Sequence, residues 1–216
     1  MTVRAILWDL DGVTVNSGRY HFEAYRWLLA QHGIELTEER FFSEFFGRRN
    51  REIIQAALRQ PSEEDIRRLS DQKETKFREL VAGNISALPG AAELLRRADH
   101  SGLKQAIVSS TPRANIDLII GSLGLRDCLD AIVGEEDAER GKPDPQPYTM
   151  GADRLGVPYG DCVVIEDAPD GIEAGKAAGM RVIGVATTRP VERLSRADLV
   201  VESLEDERVS RFIVGV

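Results

Sequence analysis

Asp9 and Asp11 stand two positions apart at the end of an apolar run, Val3 to Trp8, and Gly12 follows them. On an extended segment, residues i and i+2 point the same way, so both carboxylates can face one site. Left alone they would repel each other, and a buried charge has to be paired, bonded or used. Similar groups recur further along. Ser109-Ser110-Thr111-Pro112 follows a second apolar run, Gly141-Lys142-Pro143 closes an acidic loop, and Glu166-Asp167 ends a third apolar run. Carboxylates and a lysine converging with hydroxyls and backbone amides would make an acid-rich metal site beside an anion site. Hard oxygen ligands favour Mg²⁺ among the common ions, and Mg²⁺ usually works with phosphate. Such a cation would remove the repulsion between Asp9 and Asp11, and one of the two acids could then also react.

Those residues need elements that bring them together. Val3 to Trp8 reads as a buried strand. Phe22, Tyr25, Leu28 and Leu29 then fall at helical spacing over 17–32, with Gly33 as a stop. Helical stretches follow at 38–46, 50–59 and 62–82, the last announced by Pro61-Ser62-Glu63-Glu64-Asp65 with acids in its first turn. After Leu88-Pro89-Gly90 the pattern alternates. Helices are predicted at 91–101, 112–123, 145–155 and 169–178. Strands are predicted at 104–108, 131–133, 162–165, 182–185 and 199–201. Alternating strands and helices indicate a parallel sheet covered on both faces. The first strand has to join that sheet, since alone it has nothing to pair with. The expected fold is therefore α/β: a Rossmann-like, doubly wound parallel sheet core of residues 1–14 and 89–216, with an all-helical cap inserted at 15–88. Ligands in such sheets bind at the carboxyl ends of the strands, which is where the chemistry-bearing residues fall.

Composition narrows the function classes. The 216 residues are 42% hydrophobic and 30% charged, an ordinary soluble balance, and suffice for one large domain or one domain with an insertion. A net charge of −8 argues against a general nucleic-acid binder but not against binding a small anion. Cys128 and Cys162 have neither metal-type spacing nor the number for a disulfide framework, so a reducing cytoplasm is the expectation. The amino-terminal stretch does not read as a signal peptide. No apolar run approaches ~18 residues, so no membrane span is expected. No protein partner is predicted.

With the four motifs in order, the chain resembles the haloacid dehalogenase superfamily over nearly its whole length. It is similar to the Mg²⁺-dependent phosphatase and phosphomutase branch that carries a helical cap after the first motif. The motifs are Asp9-Leu10-Asp11-Gly12-Val13-Thr14, Ser109, Lys142 within Gly-Lys-Pro-Asp-Pro, and Glu166-Asp167. The resemblance implies that Asp9 is the nucleophile, forming an aspartyl-phosphate. Asp11 would protonate the leaving oxygen and then deprotonate the incoming water or hydroxyl. Ser109 and Lys142 would hold the transferring phosphate, with Ser110 beside them. Mg²⁺ would be held by Asp9, the backbone carbonyl of Asp11 and Asp167, with Glu166 beside or behind them. The implied function is a phosphohydrolase of a small phosphorylated metabolite, with sugar phosphates foremost. The alternative is a phosphomutase converting β-glucose 1-phosphate to glucose 6-phosphate, and a third reading is a non-catalytic phosphometabolite-binding protein.

Plainer readings exist for each residue. Asp-x-Asp-Gly is also turn chemistry, Ser109 and Asp167 could be helix caps, and Lys142 could be a solvated lysine. Glu135-Glu136-Asp137 reads as a solvated loop. Four motifs in order, each at a strand end, favour the catalytic reading. The expected cap carries Tyr20-His21-Phe22-Glu23-Ala24-Tyr25, which closely resembles the same stretch of β-phosphoglucomutase, and Lys73 also matches a cap lysine there. His21 and Lys73 are thus candidate substrate ligands. A mutase must grip a second, remote phosphate, and the arginine expected for it is replaced by Asn50. Arg49 or Arg51 is the candidate substitute. Two more departures are Thr111-Pro112-Arg113, where the mutase has a Ser-Lys-Asn run, and Asn16, which stands where most of this branch has Asp.

Overall fold

A computed structural model describes residues 2–214. The chain divides into a sheet unit, Met1–Asn16 with Ser86–Val216, and a helical unit, Ser17–Ile85. The sequence borders lie at 14/15 and 88/89, within three residues of these.

In the sheet unit, β1 (Ala5–Trp8), β2 (Lys104–Val108), β3 (Ala131–Val133), β4 (Cys162–Glu166), β5 (Arg181–Val185) and β6 (Leu199–Val201) form one parallel sheet in the order β3-β2-β1-β4-β5-β6. All four residues of β1 are fully buried, as parallel strands covered on both faces must be. β1 pairs with β2 through Leu7↔Ala106 and with β4 through Leu7↔Val164. The chain leaves β1 toward β2 and β3, then crosses back to β4, so strand order reverses between β1 and β4. A reversal of this kind leaves a crevice at the carboxyl ends of the two strands. Asp9 and Glu166 stand at those ends. The ladders also run one residue past the named strands: the N–H of Asp9 donates to Ile165 O at 3.0 Å, and that of Ser109 to Val133 O at 3.0 Å. Both residues are therefore held by sheet hydrogen bonding rather than by loops.

Helices α5 (Ala91–His100), α6 (Arg113–Ser122), α7 (Gln146–Leu155), α8 (Pro169–Ala177) and α9 (Glu207–Val214) complete the sheet unit. Leu7, Val108, Val164 and Val182 pack with Tyr148 and Ala152 of α7 and Ile172 of α8 in its core. Helix α9 has no counterpart in the sequence reading. It is short and buries only Val209 and Ile213, too few positions for the helical period to show.

The helical unit comprises α1 (Gly18–Ala30), α2 (Glu38–Arg40), α3 (Asn50–Ala57) and α4 (Glu63–Val81). Ser62 and Asp65 close a reciprocal capping box at the start of α4. The stretch read as one helix over 38–46 is three residues of α-helix followed by a π turn over Phe41–Phe45. The aromatic run explains this. Phe41 and Phe45 are buried, while Phe42 and Phe46 pack on Phe41 with ring centroids 5.1 and 5.9 Å away. A widened turn lets more of these rings share one side. No helix among the described residues is long and apolar enough to cross a membrane.

Candidate active site

The first motif is a tight turn leaving β1. The N–H groups of Thr14 and Val15 both donate to Leu10 O, at 2.9 and 3.0 Å, and the Thr14 hydroxyl donates to Asp9 O at 2.9 Å. Gly12 has φ 89°, and a Cβ there would run into the Asp167 carboxylate and Thr188. Glycine is required both by the left-handed backbone and by that close approach.

Lys142 joins the first and fourth motifs. Its ammonium donates to Asp9 Oδ1 at 2.5 Å, to Glu166 Oε1 at 2.7 Å and to Val108 O at 3.1 Å, so all three of its protons are placed. It also lies 4.8 Å from the centroid of the Tyr148 ring. Asp11 has a different partner, the hydroxyl of Thr111, which donates to its Oδ2 at 2.6 Å. Thr111 in turn donates its N–H to Ser109 Oγ at 3.1 Å, and this ties the second motif to the first. Ser110 follows Ser109 and is half-buried.

Glu166 is the most heavily bonded group. Its Oε1 accepts from Lys142 and from the Tyr148 hydroxyl at 2.8 Å. Its Oε2 accepts from the N–H groups of Asp167 and Ala168 at 2.9 and 3.1 Å. Asp167 accepts from the Thr188 hydroxyl, and the neighbouring Thr187 hydroxyl donates to Gly12 O.

Four carboxylates thus crowd one ammonium. Burial pushes Asp9 well above its usual range, against the pull of Lys142 and with the push of Glu166, Asp167 and Asp11. Burial and Glu166 raise Asp167 to about 7, despite the Thr188 hydrogen bond. Burial alone would lower Lys142, but the charges of Asp9 and Glu166 overcome it and hold Lys142 as a firm ammonium. Among the described residues, no three His, Cys, Asp or Glu side chains gather tightly enough to hold a metal on their own. Mg²⁺ ordinarily takes only one or two carboxylates together with other oxygens. Asp9 and Asp167, with the Asp11 carbonyl, fit that donor set, and the excess of buried negative charge is what a divalent cation would relieve.

Four residues of this site carried no role in the sequence reading. Thr187 and Thr188 follow β5, so the strand-end rule reaches them, but hydroxyls there look like turn residues. Tyr148 has the spacing of an ordinary core position, and Thr111 was visible only as part of a polar run.

The remaining predicted residues lie in the helical unit. The Lys73 ammonium, 2% exposed, donates to His21 Nδ1 at 2.8 Å and to Glu74 Oε1 at 2.8 Å. The His21 ring stacks on Phe77 with centroids 4.0 Å apart. Asn50 donates to Glu74 Oε1 at 2.7 Å and accepts from the Tyr25 hydroxyl. Arg51 forms a two-pronged pair with Glu63 at 2.7 and 2.6 Å. Arg49 is the residue that leads into α3.

Residues 6–185 match the haloacid dehalogenase-like hydrolase family. The chain belongs to that family. Hexitol phosphatase A of Escherichia coli (strain K12) is 34% identical over 216 residues, covering 98% of this chain and 96% of its own. β-Phosphoglucomutase of Bacillus subtilis (strain 168) is 31% identical over 213 residues, covering 94% and 91%. Among solved structures, β-phosphoglucomutase of Clostridium difficile superposes with a TM-score of 0.86 at 28% identity, covering 97% of this chain and 96% of its own. This haloacid dehalogenase-like enzyme therefore has both phosphatases and phosphomutases among its relatives.

Proposed function

We propose that the chain is a Mg²⁺-dependent phosphohydrolase of small phosphorylated metabolites, sugar phosphates and their polyol relatives foremost, working through an aspartyl-phosphate on Asp9. The observation that carries this reading is the separate pairing of the two acids: Asp9 on the Lys142 ammonium at 2.5 Å, Asp11 on the Thr111 hydroxyl at 2.6 Å. The ammonium pulls Asp9 toward the carboxylate form, which is the form that attacks, against the burial that raises it. The Thr111 hydroxyl holds the Asp11 carboxyl in place beside it.

An Asp9 carboxylate oxygen bonds to phosphorus as the bond to the leaving oxygen breaks, and Asp11 gives its proton to that oxygen. Asp11 then takes a proton from water. The water oxygen bonds to phosphorus, the bond to Asp9 breaks, and phosphate leaves. Lys142 and Ser109 hold the transferring group, while Glu166, with both oxygens engaged, holds Lys142. Mg²⁺ bound by Asp9, the Asp11 carbonyl and Asp167 would supply positive charge to the phosphate oxygens. We assign substrate selection to the helical unit, with His21 and Lys73 as its first candidates, and place the enzyme in a reducing cytoplasm, where its two free cysteines stay thiols.

Water rather than a sugar hydroxyl is favoured as the acceptor because the groups suited to a second phosphate are already engaged. Asn50 is tied to Tyr25 and Glu74, and Arg51 to Glu63. The N–H of Arg113, which opens α6, donates to both oxygens of Glu136 at 3.2 and 3.0 Å. Likeness to β-phosphoglucomutase over nearly the whole chain supports the second reading, a phosphomutase, which would call on Arg49 or Arg51.

The test is product analysis with Mg²⁺, using a panel of sugar and polyol phosphates that includes β-glucose 1-phosphate with a trace of bisphosphate. Free phosphate without glucose 6-phosphate is expected, and glucose 6-phosphate forming faster than free phosphate would establish the mutase. Asp9→Asn is expected to abolish turnover with the fold intact. Near-normal turnover by folded Asp9→Asn would overturn the mechanism, whereas no turnover of any ester by the wild type would reopen a non-catalytic, phosphometabolite-binding role.

A further inference from the structure

Tyr148 belongs to none of the four motifs, yet it touches both charged groups that meet behind Asp9. It is fully buried on α7, its hydroxyl donates to Glu166 Oε1 at 2.8 Å, and its ring face lies 4.8 Å from the Lys142 ammonium. We propose that Tyr148 is a positioning residue, which fixes the Glu166 carboxylate so that Glu166 aims Lys142 at Asp9.

Two backbone N–H groups anchor Glu166 Oε2 and leave Oε1 to swing about that anchor. Two donors converge on Oε1, Lys142 from one motif and Tyr148 from α7. The ammonium sits on a flexible stem and could turn with the carboxylate. The phenol cannot: its ring is packed among Leu7, Val108 and Val164 in the core beneath the sheet ends. Tyr148 is therefore the rigid member of the set. Its hydroxyl restrains Oε1, and its ring face attracts the ammonium. Catalytic groups need supporting contacts of this kind to hold their direction.

The proposal rests on the role given to Lys142 above, and its test separates the two. Tyr148→Phe removes one oxygen and keeps the ring. In its crystal structure we expect the Glu166 carboxylate rotated and Lys142 Nζ drawn off Asp9 by roughly 1 Å or more. In turnover we expect kcat to fall roughly tenfold, the scale of one hydrogen bond to a charged group, with KM within about threefold. A residue that only fills the core would change the unfolding midpoint and leave both readouts alone. Lys142 and Glu166 unmoved in the variant would overturn the proposal, as would a displaced Lys142 with kcat unchanged. Failure of Tyr148→Phe to fold would overturn it too, by making the hydroxyl a requirement of folding. If the wild type hydrolyses no phosphate ester, the phosphohydrolase reading falls, and the crystal structure of the variant still decides whether Tyr148 positions Lys142.

Discussion

Replacing Gly171 by alanine sets two physical effects against each other. Gly171 lies in the first turn of α8 with ordinary helical backbone, where alanine should be favoured by about 0.5–1 kcal/mol. The space for a methyl group is already taken, because a Cβ on Gly171 would overlap the carboxylate of Glu166. That carboxylate cannot slide without loss, since it accepts four hydrogen bonds, from Lys142, Tyr148, Asp167 N and Ala168 N. Displacing it breaks at least two of them, and bonds to a charged, buried group are worth about 1.5–3 kcal/mol each. Set against the helix gain, the net loss is about 2–5 kcal/mol, which should lower the urea midpoint by about 1–2 M. The matching control is Gly121→Ala in α6, where no atom lies within 4 Å of the added Cβ. That variant should be neutral or gain up to about 1 kcal/mol. Urea unfolding of wild type and both variants under one set of conditions is the assay. A Gly171→Ala protein as stable as wild type would mean that the packing of Glu166 against α8 is looser than described, and would refute the account of why glycine stands there.

Two other outcomes follow from the same contacts. Thr188→Val removes the hydroxyl that donates to Asp167 and should weaken Mg²⁺ binding by roughly tenfold or more, whereas Thr188→Ser should retain it; calorimetric titration with Mg²⁺ distinguishes them. In the helical unit, burial pushes the Glu74 carboxyl up, but Lys73 and its hydrogen bonds hold it below the usual 4.5. A depressed acid contributes stability that is complete above its unfolded value and lost as pH falls through the folded one. Glu74→Gln should therefore flatten the acid side of the stability profile below about pH 4.5, and an unchanged acid limb would count against the pair.

Much of the sheet unit was legible because buried parallel strands are continuous apolar runs and their ends are abrupt. Asp9, Ser109, Lys142 and Glu166 each follow such a run or the loop beyond it, and the fold places them together for that reason. Tyr148 could not be read in this way. Its spacing on α7 is that of a core residue, and it is one; only its hydroxyl, which periodicity does not register, serves the site. Gly171 shows the same limit, since glycine near the start of a helix looks like a weakness until a carboxylate from another element is seen in its place. The aromatic run at 41–46 was read as helix because the pattern records which residues are apolar and not how many rings one side of a turn can take. In the helical unit, His21 and Lys73 were visible by likeness, but the ion pair with Glu74 was not, because acids next to lysines are usually solvated.

Asp9 and Asp11 are met by partners of different kind. Their side chains leave the same short segment, so the turn itself treats them alike. What separates them is reach. Lys142 comes from beyond β3 and is held by Glu166 of β4, so its charge arrives at Asp9 already oriented. Thr111 comes from the loop after β2 and offers Asp11 a hydroxyl with no charge. The two acids of one turn thus stand in different surroundings, Asp9 against a fixed ammonium and Asp11 against a hydroxyl, and two carboxyls in unlike surroundings are suited to unlike roles.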